Sequence, residues 1–257
     1  MASQLDFAGG TFVDGLVADT DDSPRVAEAA AVESHRRLVI AFVGLDFEAR
    51  IAAAPGVQVV CRTAGKELEE IADTAVRQGY RGMISFGVAG GLVDHLRPGD
   101  WVVASAIHET QSVRETDAVW SRKLLAAITG AQHAPILGVD DPVAEPAVKR
   151  ELYLATGAAA VDMESHLVSR LAAAHGLAFA ALRVIVDPAE RAVPRAALAG
   201  MRPDGRTDFV ALLRDLMTKP AQITQLMRLA LDALAARTEL QRVRQLLGPQ
   251  FGLADSF

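Results

Sequence analysis

Short, nearly continuous apolar runs limit what this chain can fold into: "LVIAFV" (38–43), "VQVVC" (57–61), "GMISFG" (82–87), "WVVASAI" (101–107) and "AFAALRVIV" (178–186). A strand with one wet face alternates apolar and polar residues, so runs of this kind belong in a sheet covered on both sides. The segments between them have helical spacing. In "GKELEEIADTAVRQG", Leu68, Ile71, Ala72, Ala75 and Val76 repeat at that period before Gly79. In "MESHLVSRLAAAHG", a helix starting at Met163, the residues Met163, Leu167, Val168 and Leu171 share a face that ends at His175-Gly176. Further helices are expected over 118–129 and 144–155, and another in the tail, where Ile223, Leu226, Met227, Ala230 and Leu234 repeat near the helical period. Residues 109–141 are otherwise irregular, and a proline-dotted loop runs from 188 to about 207. The pattern predicts the α/β class, with "AAAV" (158–161) as one more strand.

Charge divides the chain. Asp6, Asp14, Asp19, Asp21, Asp22, Glu28 and Glu33 face the single base Arg25 in the first 35 residues. That excess accounts for the whole net charge of -6. An acidic extension over 1–36, solvated or loosely ordered, is therefore expected before one domain over 37–257. No basic stripe interleaved with aromatics is present, which argues against a nucleic-acid surface. The single cysteine, Cys61, leaves no internal disulfide framework and fits a reducing compartment. No apolar run reaches the roughly 18–20 residues that span a bilayer. The N-terminus lacks the basic start and apolar centre of a secretion signal. A cytoplasmic location is the expectation.

The histidines are scattered, without HExxH or Cys/His metal spacing, and no metal site is expected. GxSxG and the Walker A pattern are absent, and "GVAGG" (87–91) does not fit GxGxxG. This glycine cluster follows an apolar strand directly. It is either a tight turn or a place where backbone approaches a ligand, at the sheet edge where α/β ligands bind. Asp162 and Glu164 follow the strand "AAAV", and Asp187 follows "AFAALRVIV". Asp162 suits a helix N-cap, Glu164 a first helical turn, and Asp187 a strand-ending turn. Their arrival at one rim, together with the glycines and with Glu48 in "GLDFEAR" (44–50), favours a site.

The segments "FGVAGGL", "LRPGDWVVAS", "AAAVDMES" and "ALRVIVDPA" resemble the nucleoside phosphorylase and nucleosidase superfamily, in order from Arg37 to Pro188. The longer stretch from Asp162 to Pro194, followed by "GMRPDG", is similar to the hopanoid-associated phosphorylases, which act on adenosylhopane. The resemblance implies a single-domain, three-layer fold with a central mixed sheet flanked by helices. It implies an enzyme that cleaves an N-glycosidic bond without a cofactor, with phosphate as a candidate co-substrate. Met163 and Glu164 match the pair that holds the ribose, the carboxylate accepting from its hydroxyls. Asp187 matches the acid that protonates the departing purine, and Glu48 falls near the glutamate that activates water. Gly87, Val88, Gly90 and Gly91 match the loop around the sugar and the attacking group. Arg183 matches an arginine near the substrate, where a structural role is equally open.

Departures from the family pattern bear on the nucleophile. Ser85 and Val88 stand where hexameric phosphorylases grip phosphate, and Val186 replaces the serine that precedes the acid in nucleosidases. Water, or phosphate held by Arg50, Arg62 or backbone N–H groups, both remain open. The implied partners are a small or lipid-linked nucleoside and a second copy of the chain, with a dimer favoured. The locally basic C-terminal helix, with Lys219, Arg228, Arg237, Arg242 and Arg244, could touch the inner membrane face or simply pack on the sheet. A methylthioadenosine/S-adenosylhomocysteine nucleosidase and a non-catalytic nucleoside-binding protein are the alternative readings.

Overall fold

The apolar runs lie side by side as strands. The computed structural model describes residues 39–61, 65–194 and 222–253. The acidic segment 1–36, Arg62, Lys219 and "GMRPDG" lie outside the described residues. In chain order the elements are β1 (Val39–Val43), α1 (Asp46–Ala52), β2 (Val57–Cys61), α2 (Lys66–Arg77), β3 (Gly82–Gly91), β4 (Trp101–His108) and β5 (Val113–Glu115). They continue with α3 (Ala118–Ala127), β6 (Gln132–Gly138), α4 (Pro146–Thr156), β7 (Ala160–Asp162), α5 (Ser165–Ala174), β8 (Ala178–Asp187) and α6 (Gln222–Leu246).

The eight strands form one mixed sheet. β2, β1, β3 and β8 are parallel neighbours in that order, and β8 pairs antiparallel with β4. β4 pairs parallel with β6, β6 with β7, and β7 returns antiparallel to the far end of β3 at Gly90 and Gly91. The pairing thus closes on itself through β3, β8, β4, β6 and β7, with β1, β2 and β5 outside the ring.

Strand alternation sorts side chains to two cores. Ile40, Phe42, Met83, Ala104, Ala181 and Ile185 pack with Leu68 and Ala72 of α2 and with Val168 and Leu171 of α5. Val39, Ala41, Ile84, Phe86, Leu182 and Val184 face the other way, onto Ala52 of α1, Trp120 and Leu124 of α3, and Ala236, Leu240 and Val243 of α6. This is the expected three-layer α/β arrangement, with helices on both faces of a mixed sheet.

Several local expectations need correction. β3 does not end before the glycine cluster but runs through it to Gly91, pairing with β8 and β7. The helix after β7 begins at Ser165, not at Met163. Its N-cap position is Glu164, while Asp162 reaches forward to accept from the N–H groups of Glu164 and Ser165. β6 lies in the stretch expected to be irregular. Pro135 interrupts its apolar pattern and lacks a donor, yet its carbonyl still accepts from Ala159. In α6 the expected stripe is not the packed one: Met227 and Leu234 are exposed, and the buried apolar residues are Ala236, Leu240 and Val243, with Leu247 just past the helix end. Arg244 is also buried, donating to the Ala52 carbonyl and lying 4.1 Å over the Phe251 ring. No described helix is long and apolar enough to cross a membrane.

Candidate active site

Alternation along β8 turns Arg183 to the face of Ala181 and Ile185, where α5 begins, and in β3 it turns Ser85 to the same face. Arg183 is 1% exposed and is the hub of a polar cluster. Its Nε lies 2.6 Å from Asp162 Oδ2. Its Nη2 lies 2.6 Å from Ser85 Oγ, 3.1 Å from Glu164 Oε2 and 3.3 Å from Ser165 Oγ. Ser165 Oγ also bonds Ser85 Oγ and Asp162 Oδ2. Asp162 is therefore more than a helix cap: it is half of a buried ion pair.

Glu48 completes this end of the site from α1. It is 1% exposed. Its Oε2 accepts from the Gly44 and Leu45 N–H groups at 2.9 Å, and its Oε1 from the Val88 N–H at 2.7 Å. Two glycines make room. A Cβ on Gly44 would overlap Glu164 Oε1, and one on Gly87 would overlap Glu48 Oε1 and sit 2.8 Å from Arg183 Nη1. The Gly87 position faces Arg183 across the β3–β8 pair, so a side chain there would take the guanidinium's space.

Burial dominates the electrostatics. Desolvation, with some help from the Glu164 charge, pushes the Glu48 carboxyl up to about 7 against the pull of Arg183 and the backbone N–H groups. Glu164 is raised for the same first reason, with Asp162 adding to it and Arg183 opposing. For Arg183, burial works to lower the value, but Asp162, Glu164 and Glu48 outweigh it and hold the guanidinium above its ordinary range.

Asp187 stands at the end of β8. Between Ala89 and Gly90 the register shifts, so that Ile185 pairs with Ala89 while Asp187 pairs with Gly90. The bulge leaves Val186 without a counterpart and re-aims the residue that follows. A Cβ on Gly90 would lie 3.1 Å from Asp187 Oδ2. Sequence reasoning missed the partner of this acid. Lys149 of α4, 0% exposed, places Nζ 2.6 Å from Asp187 Oδ2. Burial raises the Asp187 carboxyl, and Lys149 pulls it back in part. No motif pointed to Lys149, because a lone lysine in an amphipathic helix reads as a solvated residue.

Glu48, Val88, Glu164, Gly87 and Arg183 thus form one cluster, and Gly90 and Asp187 meet beside it on the same two strands. Gly91 pairs with Ala160, and Met163 is half-buried between β7 and α5. Arg50, the other described candidate for phosphate, is exposed on α1. No group of three metal-suited side chains occurs among the described residues.

An acid at one strand end, a glycine-lined strand beside it and a carboxylate cluster next along the rim suit cleavage between a base and a sugar. The chain belongs to the phosphorylase superfamily, whose family model matches residues 22–224. The enzyme class implied by its motifs, glycosidic-bond cleavage of the nucleoside phosphorylase and nucleosidase kind, holds for it. In fold it is similar to futalosine hydrolase of Helicobacter pylori, with TM-score 0.57, 16% identity, and coverage of 85% of this chain and 99% of that one. It is also similar to a variant of the Helicobacter pylori 5′-methylthioadenosine/S-adenosylhomocysteine nucleosidase with 5′-methylthioadenosine in the active site (TM-score 0.55, 13% identity, 84% and 98% covered). The Campylobacter jejuni enzyme of that name gives TM-score 0.53 at 14% identity, with 80% and 99% covered. No functionally curated protein matches the chain by sequence.

Proposed function

We propose that the protein hydrolyses the N-glycosidic bond of an adenosyl substrate, adenosylhopane, releasing adenine and a ribosyl-hopane. The observation that carries hydrolysis is the charge balance around Glu48. Three buried or half-buried carboxylates, Glu48, Asp162 and Glu164, surround one arginine whose guanidinium Asp162, Glu164 and Ser85 already occupy. Such a cluster repels a phosphate dianion and suits neutral water. A carboxyl near 7 is matched to taking a proton from that water at neutral pH.

Glycosidic cleavage passes through an oxocarbenium-like state with two demands: protonating the leaving group and stabilising the sugar cation. Asp187, raised by burial, meets the first by donating to the departing purine. Glu164 meets the second, its carboxylate accepting from the ribose hydroxyls beside Met163 and the Gly87–Gly91 strand. Glu48 takes the proton of the attacking water. The substrate assignment rests on the resemblance of 162–194 to the hopanoid-associated enzymes. In this reading the protein works as a homodimer in the cytoplasm, at the inner membrane face when its substrate is a lipid.

The test follows adenine by chromatography from adenosylhopane, methylthioadenosine and S-adenosylhomocysteine, each with and without phosphate. Release from adenosylhopane at a rate independent of phosphate is the expected result. A strong preference for methylthioadenosine replaces the substrate, and dependence on phosphate replaces water. No adenine from any of them makes the protein a binding module.

A further inference from the structure

Its own strand gives Asp187 no side-chain partner: Val186 precedes it and Pro188 follows. A carboxyl that delivers a proton in one direction needs its rotamer fixed. That restraint comes from α4. Lys149 Nζ reaches Asp187 Oδ2 at 2.6 Å, the Pro188 carbonyl at 3.0 Å, the Arg191 carbonyl at 3.2 Å and, at 3.5 Å, the Asp187 carbonyl, so its three donors are fully engaged. The same lysine therefore ties down the chain that follows the acid. The helix is turned to allow it: Val148, Tyr153 and Leu154 are exposed while Lys149 is completely buried. A charge at that depth without hydrogen-bond acceptors would be very costly, so its place in the core requires the Asp187 oxygen and the carbonyls gathered around it.

Other charges near Asp187 are engaged elsewhere or sit across the cleft. Arg191 and Glu190 on the following segment, and Arg228 and Asp232 of α6, line that cleft with it. Arg191 Nη1 is held by Asp232 at 2.5 Å and Glu190 bonds Arg97. β3 brings only Gly90 to the carboxyl.

We propose that Lys149 is the positioning residue of Asp187, clamping Oδ2 so that Oδ1 presents the proton to the leaving base and neutralising the carboxylate left behind. This rests on the reading of Asp187 as the acid. As the glycosidic bond breaks, its electron pair leaves with the base. The Oδ1–H bond breaks and an N–H bond forms on that base, while Lys149 keeps its protons. The water that adds to the sugar carbon gives its proton to Glu48. Lys149 thus supplies from a distant helix the restraint that Val186 cannot.

The experiment compares wild type with Lys149→Met and Lys149→Gln. In the free proteins, NMR titration of the Asp187 carboxyl, identified by its loss in Asp187→Asn, should move to higher pH when the lysine is replaced. In the adenine-release assay kcat should fall at least about tenfold with KM little changed, and the alkaline limb of the pH profile should move up with the carboxyl. A titration and profile that stay in place, with only stability lost, overturn the proposal. Absence of adenine release by wild type overturns the activity instead, and the substrate-free titration still decides the clamp. Should both lysine variants fail to fold, the Lys149 Nζ resonance in Asp187→Asn decides it: displaced from wild type supports the pair, unmoved overturns it.

Discussion

The two ends of the site solve the burial of charge differently. Around Arg183, several carboxylates and hydroxyls share one cation, and Asp162, Ser85 and Ser165 each have more than one partner. Around Asp187, a single lysine makes the one side-chain hydrogen bond found among the described residues. A shared network resists the loss of an acid but not of its hub. A single pair leaves one group free to change protonation, which suits a proton donor. In the proposed reaction the first end holds the sugar and carries the base Glu48, and the second carries the acid.

Replacing the proton donor while keeping the shape breaks this contrast most sharply. Asp187→Asn should lower adenine release by roughly 10²–10⁴-fold, the usual range for a general acid. Substrate should still bind, measured by calorimetry, because the cluster proposed to hold the sugar is untouched. Unaltered turnover would remove Asp187 from the mechanism. At the other end the expected damage is to stability. Arg183→Met leaves Asp162 and Glu164 without their buried cation, a loss of about 3–5 kcal/mol in urea denaturation. A loss under about 1 kcal/mol would mean that the cluster is not organised around the arginine.

The holding end was the more legible from sequence. Glu48, Gly87, Val88, Glu164 and Arg183 all lie in or beside the motifs, and strand alternation is enough to put Ser85 and Arg183 on the face of α5. The apolar runs likewise announced β1, β2, β4 and β8, because strands covered on both faces carry little else. Lys149 was hidden because α4 is turned about: its apolar residues suggest an inward face that the fold directs outward. The bulge at Asp187 was hidden too, since register is decided by pairing with Gly90 and not by β8 alone. In α6 the periodicity was real, but the packed residues are Ala236, Leu240 and Val243, one stretch further along the helix.

A pH measurement sharpens the same comparison. Glu48 rises from 4.5 to about 7 on folding, so its neutral form is the one the fold favours. The stability tied to this group is full below the unfolded value and is lost as pH rises through the folded one. The shift of about 2.5 units corresponds to about 3 kcal/mol. Glu48→Gln cannot titrate, and its amide meets backbone N–H donors, which adds a cost independent of pH. The stability of wild type relative to this variant should therefore fall by about 3 kcal/mol between about pH 4.5 and about pH 8. A constant difference would mean that Glu48 stays ionised throughout. Catalysis has the opposite sign, since a base must be ionised: wild-type turnover should rise as pH increases through about 7.

The smallest effect lies where the two ends touch, on β3. At Gly87 an added methyl overlaps Glu48, whereas at Gly90 it would lie 3.1 Å from Asp187 Oδ2 and 3.3 Å from Val161 Cγ1. Those distances are tight but can be relieved by shifts of a few tenths of an ångström. Gly90→Ala should cost only about 1 kcal/mol of stability by urea denaturation. The carboxyl is the neighbour best able to move, and moving it strains the bond to Lys149. The variant should therefore lose about tenfold in kcat, more than its stability suggests, with substrate affinity unchanged. Equal losses in kcat and affinity would place the added methyl against the sugar, making β3 a wall of the ribose pocket more than a spacer for the acid.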